Sequence, residues 1–207
     1  MAHLTRFRMK TVPAIAALAE AKLLQDKLGA PALERATTIN IWASILNDTR
    51  KFDEAIVMLK EGLALREKNA APSDDIASSA GNLAFALRQL GQLSEAQTLF
   101  SRVLALRIES LGQDHIETAL AAFNLAKTER ELGDFTAAEQ HYTQSIAIFS
   151  KLFPDPKSPH PAMNYLRLDL AIMKNWQNQP NEALAQIELV QKTLPESACN
   201  ARKQTLH

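Results

Sequence analysis

Apolar and polar residues along this chain recur at the spacing of a helix rather than a strand. Ile76, Ala80, Leu83, Ala84, Leu87 and Leu90 share one face, with polar residues around the rest. Gly91 follows, and glycine closes helices because it accepts a left-handed backbone. Ser94 offers a hydroxyl as the N-cap of a next helix, whose inward face is Ala96, Leu99, Phe100 and Val103. Asp74 or Asp75 opens this helix pair and Leu111-Gly112 closes it. Small Ala84 and Ala96 let the two backbones approach.

The pattern repeats. Asn82-Leu83-Ala84 returns as Asn124-Leu125-Ala126, and Gly91-Gln92-Leu93 as Gly133-Asp134-Phe135, each 42 residues on. Ala96 returns as Ala138, and Phe100 as Tyr142. Upstream, Trp42-Ala43 matches Leu83-Ala84, and Phe52-Asp53-Glu54-Ala55 matches Leu93-Ser94-Glu95-Ala96, at 41. Downstream, Asp169-Leu170-Ala171 matches Asn124-Leu125-Ala126, and Asn181-Glu182-Ala183 matches Thr136-Ala137-Ala138, at 45. The extra residues fall in the proline-rich stretch 153–159, a loop between hairpins.

A fixed period of this length means a stack of supersecondary units. Four hairpins are expected, at 33–69, 74–111, 115–152 and 160–194, behind a capping helix over 13–28. Flexible tails are expected over 1–12 and 195–207. One hairpin cannot bury its own apolar stripe, so stability comes from stacking on neighbours.

Hydrophobic residues make up 46% of the 207, enough for a core. Lys plus Arg and Asp plus Glu number 23 each, so the formal net charge is zero. That balance argues against wholesale attraction to nucleic acid or to an anionic membrane. No apolar run reaches the roughly 20 residues that span a bilayer. The short, Ala-rich stretch after Arg6, Arg8 and Lys10 is broken by Pro13 and runs on as an amphipathic helix. The lone Cys199 has no partner for an internal disulfide. A cytoplasmic location is therefore expected.

The chain resembles the tetratricopeptide repeat in its longer form, found in kinesin light chains and many bacterial proteins. The residues that carry the resemblance are Asn-Leu-Ala at 82–84 and 124–126, the Gly-x-Leu/Phe turns, Leu111-Gly112-Gln113-Asp114-His115 and His160-Pro161. It covers about 13–194 and implies an all-α solenoid of stacked antiparallel helix hairpins. Its right-handed superhelix would have first helices lining a concave groove that binds a peptide or protein. In such a groove the family asparagine maps onto Asn82 and Asn124. A carboxamide can both donate to and accept from a peptide backbone.

Further groove candidates are Asn40, Asn47, Phe85, Arg88, Gln89, Phe123, Lys127, Arg130, Tyr165 and Trp176. Arg88, Lys127 and Arg130 among aromatic rings suit a partner with an acidic side chain or terminal carboxylate beside an apolar anchor. A scaffold segment of a larger regulatory assembly is the alternative, and a homodimer is one form it allows. Three departures stand out. Arg50 and Asn178 replace the turn glycines, and Pro180 replaces the turn Leu or Phe, which predicts an irregular last turn. Glu129 and Lys174 stand at equivalent places in successive hairpins, which predicts an ion pair between them.

No Gly-rich phosphate loop or His-Glu-x-x-His motif is present. No pair among His3, His115, His141, His160 and His207 has metal-ligand spacing on one helix. His115 and His160 stand at hairpin starts, where capping or packing accounts for them. No nucleophile–base arrangement is visible, so neither enzyme activity nor a cofactor is expected.

Overall fold

A computed structural model describes residues 2–155 and 159–193, with side chains from Pro13 onward. Among the described residues the regular structure is nine helices and no strand. They are α1 (Ala2–Leu28), α2 (Ala32–Asp48), α3 (Phe52–Lys68), α4 (Ser73–Gln89), α5 (Leu93–Leu111), α6 (Ile116–Leu132), α7 (Phe135–Leu152), α8 (Pro161–Trp176) and α9 (Pro180–Gln191). Helix α2 pairs with α3, α6 with α7 and α8 with α9. Pro13, expected at the start of the first helix, lies inside α1, which begins at Ala2. The segment 195–207, with Cys199, lies outside the described residues.

The chain forms two compact units, Met1–Ser110 and Leu111–His207. In the first, α2 packs along α3, and α3 along α4. Ala36, Ile39, Ala43, Ala55, Leu59, Ala80, Ala84 and Leu87 are solvent-free there. In the second, α6 packs along α7 and α8 along α9, with α7 and α8 also in contact. Its core gathers Tyr142, Phe149, Leu166 and Met173, all fully buried, with Ala119, Ala126 and Ala138. Each large apolar side chain so buried contributes about 1.5–3 kcal/mol.

All four hairpins turn by one device. The residue after the first helix's last turn is left-handed: Arg50 at φ 63°, Gly91 at 76°, Gly133 at 86° and Asn178 at 59°. The next residue's N–H then reaches a carbonyl five positions back. These bonds are Lys51 to Leu46 (2.8 Å), Gln92 to Leu87 (2.9 Å), Asp134 to Glu129 (2.9 Å) and Gln179 to Lys174 (2.9 Å). This is the glycine-type helix stop. The last turn is therefore regular, contrary to the sequence expectation. Pro180 is the first residue of α9, where a missing N–H breaks no helical bond.

Ser94 lies inside the first turn of α5, which starts at Leu93, so it is not the residue before the helix. Before α7 the residue ahead of the helix does cap: Asp134, which matches Gln92, accepts from the Ala137 N–H at 3.1 Å. His115 and His160 cap α6 and α8: each Nδ1 accepts from the N–H two residues on, at 3.1 and 3.2 Å.

Candidate protein-binding surfaces

In the first unit the asparagines come together, but on one another. Asn82 Nδ2 donates to Asn40 Oδ1 at 3.2 Å, and Ser79 Oγ donates to the same oxygen at 3.3 Å. Asn47 Nδ2 donates to the Asn82 carbonyl at 3.1 Å. Behind them Arg66 Nη1 donates to Ser79 Oγ at 2.8 Å and to the Asp75 carbonyl. Burial pushes the Arg66 guanidinium below its usual range, against the opposing pull of Asp75. This network stitches α2 and α3 to α4. It engages a side-chain donor of Asn82 that the sequence reading gave to a bound peptide.

Phe85 meets Phe52 edge-on at 6.2 Å. Arg88 lies over Phe85 (5.7 Å) and Phe100 (5.8 Å) and is only 6% exposed. It is a cation held between rings rather than one displayed on a surface. Gln89 is exposed at the end of α4. The sequence reading overlooked Arg66 and its counterpart Arg107. Arg107, 41 residues later, donates to Ser78 Oγ at 3.1 Å and pairs with Asp74. The recurrence of arginine at the repeat interval was the signal.

In the second unit Asn124 is half-buried, and its carbonyl accepts from Thr128 Oγ1 at 2.9 Å. Lys127 Nζ lies 5.5 Å over Phe123 and 3.7 Å from Asp169 Oδ2. Phe123 packs against Tyr142 at 6.1 Å. Arg130 lies 5.3 Å over the Trp176 ring and 3.9 Å from Glu131 Oε1, and its Nε makes no hydrogen bond. Trp176 also touches Phe135 at 6.5 Å. Among the described residues no group of His, Cys, Asp or Glu is placed to hold a metal.

Glu129 and Lys174 are buried as expected, but each takes another partner. Glu129 Oε2 lies 2.8 Å from His141 Nδ1. Lys174 Nζ pairs with Glu139 Oε1 at 2.6 Å and Glu182 Oε2 at 2.9 Å. The second helices α7 and α9 thus supply the counter-charges that sequence equivalence had assigned between α6 and α8.

An exposed apolar face of the second unit lies on α8. Tyr165 (67% exposed), Leu168 (41%), Ile172 (44%) and Trp176 (59%) follow at intervals of three, four and four. That spacing lines them along one face. Leu168 and Ile172 escaped the sequence reading, which followed polar and aromatic residues. One repeat earlier the matching Leu120 and Phe123 are partly buried against the α6–α7–α8 core. A groove of about 380 Å³ flanks the α8 face, walled by Tyr165, Leu168, Ile187 and Val190. No helix among the described residues is long and apolar enough to cross a membrane.

Residues 75–151 match the tetratricopeptide repeat family. No curated protein matches the chain by sequence. Among solved structures, the chain is similar to a candidate kinesin light chain from Podosopora anserina with nearly identical TPR-like repeats. That match has 22% identity and a TM-score of 0.76, over 90% of this chain and 88% of that one. BtubC (BKLC) from P. vanneervenii is similar at 16% identity and a TM-score of 0.71, over 90% and 73%. The apo form of RapI is similar at 17% identity and a TM-score of 0.73, over 87% of this chain and 48% of that one. Residues 75–151 thus carry the tetratricopeptide repeat, and the chain shares its fold with solved tetratricopeptide-repeat solenoids, among them the kinesin-light-chain-like one.

Proposed function

We propose that the chain acts by binding rather than catalysis, and holds a polypeptide segment on the exposed face of α8. Tetratricopeptide repeats generally mediate protein–protein interactions. One observation carries the placement: the continuous apolar line Tyr165, Leu168, Ile172 and Trp176. Exposed apolar patches of this kind mark interaction sites, and buried aromatic anchors dominate interface energetics. Arg130, lying on Trp176, offers guanidinium N–H groups to a carboxylate at the edge of the segment. Lys127 adds little to that preference because Asp169 already faces it.

The test is affinity capture from native extract with the whole chain as bait, beside Trp176→Ala and Arg130→Gln. Truncating an aromatic anchor costs about 2 kcal/mol, roughly thirtyfold in affinity. Captured proteins are expected to fall sharply with Trp176→Ala while far-UV circular dichroism stays helical. Undiminished capture moves the site away from α8.

A further inference from the structure

We propose that a cavity at the ends of α7 and α9 binds a small free carboxylic acid with a ring-sized apolar body, held as the monoanion by Arg167. The site lies apart from the exposed stripe of α8 and goes beyond the reading above. Its volume is about 200 Å³, between the connection after α7, the first half of α8 and the last turn of α9. Two departures from the repeat meet there. The proline-rich connection, where the offset between repeats rises from 42 to 45, supplies Phe153, Pro154, Asp155 and Pro159. At the 45-residue offset Arg167 corresponds to Ala122, and one repeat earlier to Ala80, both fully buried. Helix α8 thus carries a guanidinium at a position that earlier repeats give to the core.

Arg167 is half-buried, and burial alone pushes its guanidinium below the usual range. Among the described residues no hydrogen bond or ion pair reaches it. Arg66 and Arg107, by contrast, each rest on a serine hydroxyl. Drawing a cation partly out of water without a partner is costly, and an anion from outside removes that cost. The rim carries one more base, Lys192, and one carboxylate, Asp155. These two offset each other, so the excess is the single charge of Arg167 and its complement is a monoanion. The planar fork of a guanidinium matches a carboxylate through two parallel hydrogen bonds. Thr193 Oγ1 donates to Asn164 Oδ1 at 3.1 Å and so ties the end of α9 to α8 beside the site. Most of the remaining wall is apolar, with Met163 and Leu189 joining Phe153 and the two prolines. An apolar cavity of about 150 Å³ holds a benzene. The 200 Å³ here takes such a ring with a carboxylate attached.

The experiment titrates the full chain, labelled at its methionine methyls, with benzoate and with benzamide, an uncharged analogue of the same shape. Nuclear magnetic resonance reads Met163. Benzoate is expected to shift that methyl saturably. Benzamide on the wild type, and benzoate on Arg167→Gln, are expected to bind roughly tenfold more weakly or worse, the loss of a charge-assisted pair. Arg167→Lys is expected to fall between, keeping the charge without the fork. A merely structural arginine would not separate benzoate from benzamide. Thermal melting supplies a second reading. Arg167→Leu is expected to melt no lower than wild type, since the guanidinium has no partner to lose, and benzoate is expected to raise the wild-type melting temperature alone.

Equal responses to benzoate and benzamide, binding indifferent to Arg167→Gln, or no saturable shift each overturns the proposal. So does a lower melting temperature for Arg167→Leu in a chain that ignores benzoate, which would give the guanidinium a structural role. The tripeptide acetyl-Ala-Ala-Leu, whose carboxylate ends a chain, separates the two sources of the anion. Tighter binding of the tripeptide than of benzoate, lost with Arg167→Gln, overturns the free acid in favour of a polypeptide terminus; weaker binding supports the free acid. None of these outcomes bears on the protein-binding reading, which stands or falls with Trp176.

Discussion

Asn40 shows how much of this surface belongs to the fold. Its Oδ1 accepts from both Ser79 and Asn82, and Ser79 in turn accepts from the buried Arg66. Asn40→Ala leaves those donors short of an acceptor, which costs about 1–3 kcal/mol for a buried group. Urea unfolding is expected to show the midpoint falling with unchanged slope; an unchanged midpoint means water replaces the carboxamide freely. Lys174 makes a different point. Burial lowers its pKa, but the hydrogen bonds it donates to Glu139 and Glu182 outweigh that and hold it above the ordinary value of 10.5. A lysine raised on folding contributes stability that is complete below the unfolded value and lost as pH rises through the folded one. Lys174→Met is expected to flatten that alkaline decline. It should leave stability at neutral pH near wild type, since both carboxylate partners remain accessible to water. Denaturant melts at pH 7 and above 10 check both halves. Sequence equivalence could not supply these partners. It placed Glu129 beside Lys174 along the stack, whereas Lys174 takes its acids from α7 and α9.

Hairpins were readable because their punctuation repeats. Gly91 and Gly133 announce the turn, yet Arg50 and Asn178 make the same turn without glycine and carry the same five-back hydrogen bond. Asparagine takes that backbone readily, so Asn178 is a natural substitute, whereas at Arg50 packing elsewhere in the hairpin imposes it. The two glycines inside helices separate by what surrounds them. A Cβ on Gly62 would stand 2.9 Å from Cγ2 of Ile39, a fully buried side chain, so α2 and α3 are close-packed there. A Cβ on Gly81 would meet only Val103 Cγ2 at 3.9 Å, an ordinary contact. Alanine improves helix propensity at either place by about 1 kcal/mol, but overpacking a core costs about 1–3 kcal/mol. Gly81→Ala is therefore expected to raise the melting temperature and Gly62→Ala to lower it. Calorimetry on the two variants decides; equal shifts would mean that Ile39 yields at no cost. Nothing in the sequence marks this difference, because the two glycines look alike until their neighbours across the hairpin are known.

The period of the chain was plain from sequence because several apolar positions keep one offset across both helices of a hairpin. The proposed binding face was harder to find. Polar residues at family positions drew attention to Asn82, Arg88 and Lys127, each of which engages other groups of the protein. The open stripe on α8 shows only when Leu168 and Ile172 are found exposed. Stability should follow the division into Met1–Ser110 and Leu111–His207, since each unit holds its own buried set. In repeat proteins a defect acts first on its own unit and its nearest neighbours. Leu166 is fully buried in the core of the second unit. Leu166→Ala removes apolar contact and leaves a cavity, at a cost of about 2–5 kcal/mol. Native-state hydrogen exchange is the measurement with the right resolution, because it reports opening energies segment by segment. Amides of α6 to α9 are expected to lose protection by up to that amount, while those of α2 and α3 keep most of theirs. An equal loss in all helices would mean that the chain opens only as a whole, and that the two buried sets form one cooperative core.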